Sequence, residues 1–176
     1  MRTPERWDIF CRVVDNFGDA GVCWRLARQL ANEYDQRVRV WIDDLMRLKC
    51  LVPEVVLGQR QLVDGIELNH WQDCLGSEVV PAECVIDVFG CGLPQRYLDA
   101  MAQSTRKSLW IVLEYLTAEP WARDHHGLPS PPPSLSLERY FFFPGFVEGT
   151  GGLLRERPHA GVRRRSDSRA DDGQLQ

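Results

Sequence analysis

The sequence lacks any Cys-x-x-Cys pair, although it carries six cysteines, Cys11, Cys23, Cys50, Cys74, Cys84 and Cys91. That absence argues against a zinc knuckle or a thioredoxin-like motif, and thiols in mostly apolar surroundings read as small buried residues. No run approaches the ~18 apolar residues of a spanning helix. Met1 to Arg6 leads into a strand-like run without the apolar core of a signal peptide. No membrane partner is expected, and the expected location is the cytoplasm. Basic charge is also short: 21 Lys and Arg against 25 Asp and Glu give a net charge of −4. A general nucleic-acid binder would show a basic excess, so no nucleic-acid partner is expected. There is no internal repeat.

What remains is ordinary globular material. With 176 residues, 44% of them hydrophobic and 26% charged, the chain holds one packed domain with room for an appendage. Trp7 to Val14 is a nearly continuous apolar, β-forming run, as expected of a central strand covered on both faces. It ends in Asp15-Asn16-Phe17-Gly18-Asp19-Ala20-Gly21, a polar turn with two acids four residues apart. From Val22 onward, Cys23, Leu26, Ala27, Leu30, Ala31 and Tyr34 recur at helical spacing, and Val38 to Ile42 reads as a second strand. That β-α-β unit predicts a parallel, right-handed arrangement.

Further along, Asp43-Asp44 is placed to cap a short helix over Leu45 to Lys49 that must finish before Pro53. Pro53 to Gly65 gives no clear signal, and Ile66 to Trp71 reads as a strand followed by a loop over Gly76 to Pro81. Cys84 to Phe89 is a buried strand meeting a second polar turn, Gly90-Cys91-Gly92-Leu93-Pro94, and then a helix with Tyr97, Leu98, Met101 and Ala102. Leu109 to Leu113 is the next strand, with Glu114-Tyr115 at its carboxyl end. A proline-rich loop from Gly127 to Pro133 precedes a strand over Tyr140 to Phe143, and Gly149 to Gly152 forms a glycine-rich loop. Roughly six strands alternating with three or four helices predict an α/β, Rossmann-like parallel sheet with flanking helices. In such sheets ligands bind beyond the carboxyl ends of the strands. After Glu156 the character changes. Residues 157 to 176 contain Arg163-Arg164-Arg165 and several Asp and Ser but almost no apolar side chains, and read as a disordered or out-of-frame tail. The expected division is therefore 1–156 as the domain and 157–176 as the tail.

Several ordered stretches carry a family resemblance. They are Trp7-Asp8-Ile9-Phe10-Cys11 with Val14 to Asp19, Gly21 to Arg28, Trp41-Ile42-Asp43-Asp44, Leu113-Glu114-Tyr115-Leu116, Leu128 to Pro131, Tyr140 to Phe146, and Gly149 to Glu156. Over residues 5 to 156 the chain resembles the N-terminal half of the protein-arginine rhamnosyltransferases that modify bacterial translation elongation factor P. The resemblance implies a GT-B glycosyltransferase, two Rossmann-like domains facing across a cleft. It implies elongation factor P as acceptor partner, docking mainly on this domain, and dTDP-β-L-rhamnose as the nucleotide-sugar donor, held mainly by the second domain. Donor contacts are not assigned to residues here, and neither a cofactor nor a metal is expected. In that family Glu is more frequent at the Asp87 position and Ala at the Gly90 position. A donor-binding motif is not recognisable in the tail, which suggests a frameshift or premature end and an inactive or nearly inactive chain.

By the same resemblance Asp19 is the catalytic base and Asp15 its essential neighbour, with Asn16, Phe17, Gly18, Glu114 and Tyr115 as acceptor-binding candidates. Plainer readings stand beside these. Asp19 fits an N-cap of the following helix, and both roles are compatible. Asp15 and Asn16 fit turn residues bonding their own backbone, Gly18 and Gly21 fit turn glycines, and Glu114 fits an ion-pair or cap residue. Adjacent His125 and His126 point in different directions and lack a third ligand, which reads as a loop rather than a metal pair. Two other functions stay open: a remnant that only binds elongation factor P, and an unrelated nucleotide-binding domain.

Overall fold

A computed structural model describes residues 4–76, 79–132 and 136–156. The expected tail, 157–176, lies outside the described residues. Seven strands form one sheet: β1 (Arg6–Cys11), β2 (Arg37–Ile42), β3 (Gln61–Val63), β4 (Ile66–His70), β5 (Cys84–Val88), β6 (Leu109–Leu113) and β7 (Glu138–Phe142). The helices are α1 (Asn16–Tyr34), α2 (Leu45–Leu51), α3 (Asp73–Gly76), α4 (Gln95–Gln103) and α5 (Trp121–His125). The strand order is β3-β4-β2-β1-β5-β6-β7, parallel throughout except for β3 against β4. Set β3 aside, and the six parallel strands run third, second, first, fourth, fifth, sixth, the doubly wound Rossmann order. The direction of winding reverses between β1 and β5. A crevice belongs beyond the carboxyl ends of those two strands.

Side chains alternating along each strand build two cores. On one face Ile9, Cys11, Val38, Val40, Ile42, Ile66 and Leu68 pack with Ala20, Cys23 and Ala27 of α1 and Leu45 and Leu48 of α2. On the other, Phe10, Trp41 and Val85 pack with Tyr97 and Met101 of α4. Such strands read as continuous apolar runs because both faces are covered. Phe10 is the centre of the second core, with its ring 4.7 Å from Tyr97, 5.5 Å from Trp71 and 5.9 Å from Trp41. Truncating a ring packed this way costs roughly 3–5 kcal/mol.

Several elements depart from the sequence expectation, and the short helices α3 and α5 were not foreseen at all. Strand β1 stops at Cys11 rather than Val14, because carboxylates take over from the ladder. Val13 N–H donates to Asp43 Oδ1 and Val14 N–H to Asp19 Oδ2, both at 2.8 Å. Helix α1 starts at Asn16, six residues before Val22, so the acids belong to its cap and first turn. The silent stretch before Gly65 contains β3, joined to β4 by Asp64-Gly65 with φ of 49° and 76°. Asp-Gly with both residues left-handed is a favoured two-residue hairpin turn, and this was its signal. Asp44, as expected, caps α2 by accepting from Arg47 N–H at 2.9 Å. All six cysteines are free thiols; Cys11, Cys23, Cys74 and Cys84 are buried, Cys91 is half-buried and Cys50, on α2, is exposed. No described helix is long and apolar enough to cross a membrane.

Candidate active site

Asp19 sits where the topology places ligands, in the first turn of α1 just beyond β1. It is only 2% exposed. Its Oδ2 accepts from the Val14 and Asp15 N–H groups, at 2.8 Å each. The carboxylate therefore reaches backwards to satisfy donors at the helix entrance instead of standing at the cap position. Asp15 occupies that position, and its side chain makes no capping bond. The N-cap reading of Asp19 is thus corrected by one turn: an acid inside the first turn caps in reverse and also gains from the positive end of the helix dipole.

The second oxygen of Asp19 is differently placed. Among the described residues, Oδ1 accepts only from the Tyr115 hydroxyl, at 3.5 Å, the limit of a hydrogen bond. One oxygen is held by backbone, and the other retains acceptor capacity toward the crevice. Tyr115, 52% exposed, projects from the carboxyl end of β6. Partial burial and the negative charge of Asp19 both push its phenol above the ordinary value. Its ring lies on Phe89, with centroids 3.9 Å apart and planes within 2°.

Asp15 and Gly18 belong to the same constellation. Gly18 N–H donates to the Asp15 carbonyl at 2.8 Å, and a Cβ on Gly18 would stand 2.9 Å from Asp15 Oδ2. Glycine there leaves room for the exposed Asp15 carboxylate over the first turn. Phe17 is largely exposed on the outer side, with the Arg47 guanidinium 5.7 Å from its ring centroid. Asn16 opens α1, and its side chain lies outside the described set. Glu114 is half-buried at the end of β6; no described hydrogen bond joins it to Asp19. Burial, and after it the charge of Asp87, raise the Glu114 carboxyl above its usual range.

Asp87 and Phe89, which border the same crevice, were not among the expected site residues. Asp87 is buried in β5, which raises its carboxyl, and its Oδ1 accepts from Gly92 N–H and the Cys91 thiol at 3.1 Å each. Both bonds pin the turn that follows β5. The alternation of Gly90, Cys91 and Gly92 marked a turn, but nothing in it marked the orientation of Phe89.

Other candidates resolve into supporting roles. His125 Nδ1 pairs with the Trp121 carbonyl at 2.8 Å, and His126 Nδ1 accepts from Phe143 N–H at 3.1 Å. The first bond lies within α5, so His125 belongs to a helix rather than the expected loop, and the second ties the end of α5 to the residue after β7. A shallow hollow of about 210 Å³ lies at the amino ends of β1, β2 and β4, bordered by Arg6, Arg37, Arg39 and Glu67. It is at the opposite end of the sheet from Asp19. The acid cluster beyond β1, with its partner tyrosine, is the better candidate.

The profile of the family described as "Elongation-Factor P (EF-P) rhamnosyltransferase EarP" matches residues 7–175. The chain belongs to the EarP family. Among curated EarP relatives, each named "Protein-arginine rhamnosyltransferase", the Pseudomonas putida protein is 49% identical over 151 residues, covering 85% of this chain. The Pseudomonas aeruginosa protein is 48% identical over 151 residues, and a Neisseria meningitidis serogroup B protein is 39% identical over 163, covering 85% and 90% of this chain. The chain spans about 40% of the length of these relatives. The EarP match runs past Glu156, the boundary expected from composition.

Proposed function

We propose that this chain is the acceptor-side domain of a GT-B protein-arginine rhamnosyltransferase, acting in the cytoplasm on elongation factor P with dTDP-β-L-rhamnose as donor. The observation that carries the reading is Asp19 itself: a buried carboxylate at the switch-point crevice with one oxygen anchored by two N–H groups and the other scarcely bonded. Anchoring fixes the direction of the open oxygen, which is what a positioned base needs.

An arginine guanidinium, with a pKa above ~12, is not deprotonated in advance by a carboxylate of ordinary pKa ~3.9. Asp19 holds the cation and aims one nitrogen at the anomeric carbon, and Asp15 adds a second negative charge at the entrance. As the C–N bond forms, the bond from the anomeric carbon to the diphosphate breaks, and dTDP leaves with its electron pair. The nitrogen loses basicity, and its proton passes to Asp19. Attack opposite the leaving group inverts the centre. Contacts to the donor are assigned to the rest of the family's length.

The test mixes the purified chain with elongation factor P, with and without dTDP-rhamnose, and reads complex formation and intact mass. Binding that is lost in Asp19→Asn supports the reading. Binding indifferent to Asp19→Asn and Asp15→Asn overturns it, and robust transfer by the chain alone overturns the assignment of the donor contacts elsewhere.

A further inference from the structure

Phe89 has a backbone φ of 57°, in the left-handed region that bulky residues rarely enter. Gly90 and Gly92 follow with φ of 60° and 78°, so three of the four residues from Phe89 to Gly92 are left-handed. Two anchors keep it there. The Phe89 N–H donates to the Leu113 carbonyl of β6 at 2.6 Å, and Asp87 Oδ1 takes Gly92 N–H from below. An uncommon backbone held from both sides at a strand end is where stored strain serves a site. Its effect here is to lay the Phe89 ring flat against Tyr115, whose hydroxyl reaches Asp19 Oδ1.

With one face covered by Phe89, Tyr115 offers its remaining surface beside the open oxygen of Asp19. A planar, delocalised cation suits that corner. It stacks on the ring face while one of its in-plane N–H groups points at the carboxylate. A lysine ammonium, compact and strongly hydrated, gains the charge but loses the flat contact. We propose that the Phe89–Tyr115 stack is the aromatic wall that selects a guanidinium over an ammonium at Asp19, with Tyr115 touching the cation and Phe89 acting as the positioning residue that holds it. This rests on the acceptor reading of Asp19 given above and adds the basis of its selectivity.

The experiment titrates the full 176-residue chain with N-acetyl-arginine methylamide and with its lysine counterpart, following ring resonances of isotope-labelled tyrosine. The chain has four tyrosines, and Tyr97, buried against Phe10, reports the fold independently. In the wild type, the arginine probe shifts Tyr115 and leaves Tyr97 in place. Phe89→Gly suits the left-handed backbone and removes only the ring, so it keeps the fold while weakening the arginine probe about three- to tenfold. Binding of the lysine probe stays the same, so the arginine-to-lysine ratio falls. Phe89→Leu weakens the arginine probe likewise, and Phe89→Tyr restores it.

If Phe89→Gly keeps the arginine affinity and the arginine-to-lysine ratio within twofold while Asp19→Asn abolishes binding, the wall is overturned and the acceptor site stands. If neither probe shifts Tyr115 and Asp19→Asn changes nothing, the wall falls together with the acceptor reading.

Discussion

Strand β1 has a buried carboxylate near each end, and the two differ in what is left over. Asp8, at the amino end, is 1% exposed, and its oxygens are filled. Arg39 donates through Nε at 2.6 Å and Nη2 at 2.7 Å, Ala82 N–H donates at 3.1 Å, and the Tyr97 hydroxyl adds a further bond. Asp19, beyond the carboxyl end, is equally buried, yet among the described residues one of its oxygens has only a long contact with a tyrosine. Burial alone does not mark a functional acid. Unfilled acceptor capacity is the further requirement, because a saturated carboxylate has nowhere to receive a substrate's N–H.

The contrast makes opposite demands on the two residues, and Asp8→Ala tests its larger side. Removing this carboxylate leaves the Arg39 charge without its partner, so urea unfolding should show a loss of about 3–5 kcal/mol. A loss under 1 kcal/mol would mean that the filled shell contributes little. The folded fraction should still bind the arginine probe. Asp19→Ala should cost less, about 1–3 kcal/mol, since it orphans two N–H groups near the surface. Yet it should abolish arginine binding by calorimetry; retained binding would dissolve the contrast.

Smaller effects sharpen it. Tyr97→Phe removes one bond from Asp8 and should lower stability by about 1–2 kcal/mol, read by thermal melting. Tyr115→Phe removes only a long bond at an exposed ring, and its melting curve should overlay the wild type. The smallest expected effect is a pH slope. Asp87 and Glu114 have folded carboxyls raised above their ordinary values of 3.8 and 4.5. The folded state thus holds their protons longer than the unfolded chain does. Their contribution is full below the ordinary values and is lost as pH rises through the raised ones. Denaturant midpoints across that window should decline with pH, and Asp87→Asn should flatten the decline; an unchanged slope would remove Asp87 as its source.

Legibility in the sequence followed period and length. The six parallel strands were readable as short runs holding apolar β-formers, fully buried in β5 but interrupted by polar residues in β4 and only half-buried in the edge strand β7, and their order delivered the crevice. Short α3 and α5 left no period to read, and β3 hid in a mixed stretch whose Asp64-Gly65 was the only cue. The start of α1 was hidden for a chemical reason: Asp15-Asn16-Phe17-Gly18-Asp19 reads as a turn until the Asp19 side chain is seen bonding back to the helix entrance. Asp15, Asp19 and Tyr115 were predicted from strand ends and family likeness, and the fold brings them together. Phe89 was legible only as the last residue of an apolar run, since a left-handed phenylalanine has no sequence signature.

The distribution of thiols has a practical consequence for studying this crevice. Electrophiles react with the thiolate, and Cys11, Cys74, Cys84 and Cys91 stay protonated beyond the ordinary thiol range, Cys11 chiefly through its bond with the Cys23 thiol and then burial, the other three chiefly through burial. Cys23 is buried, and Cys50 alone among the six is exposed. A maleimide at neutral pH should therefore add one mass increment quickly and no second. The dye would ride on α2, the helix whose Arg47 overlies Phe17 at the rim of the acid turn, giving the natural sequence an attachment point for an optical reporter.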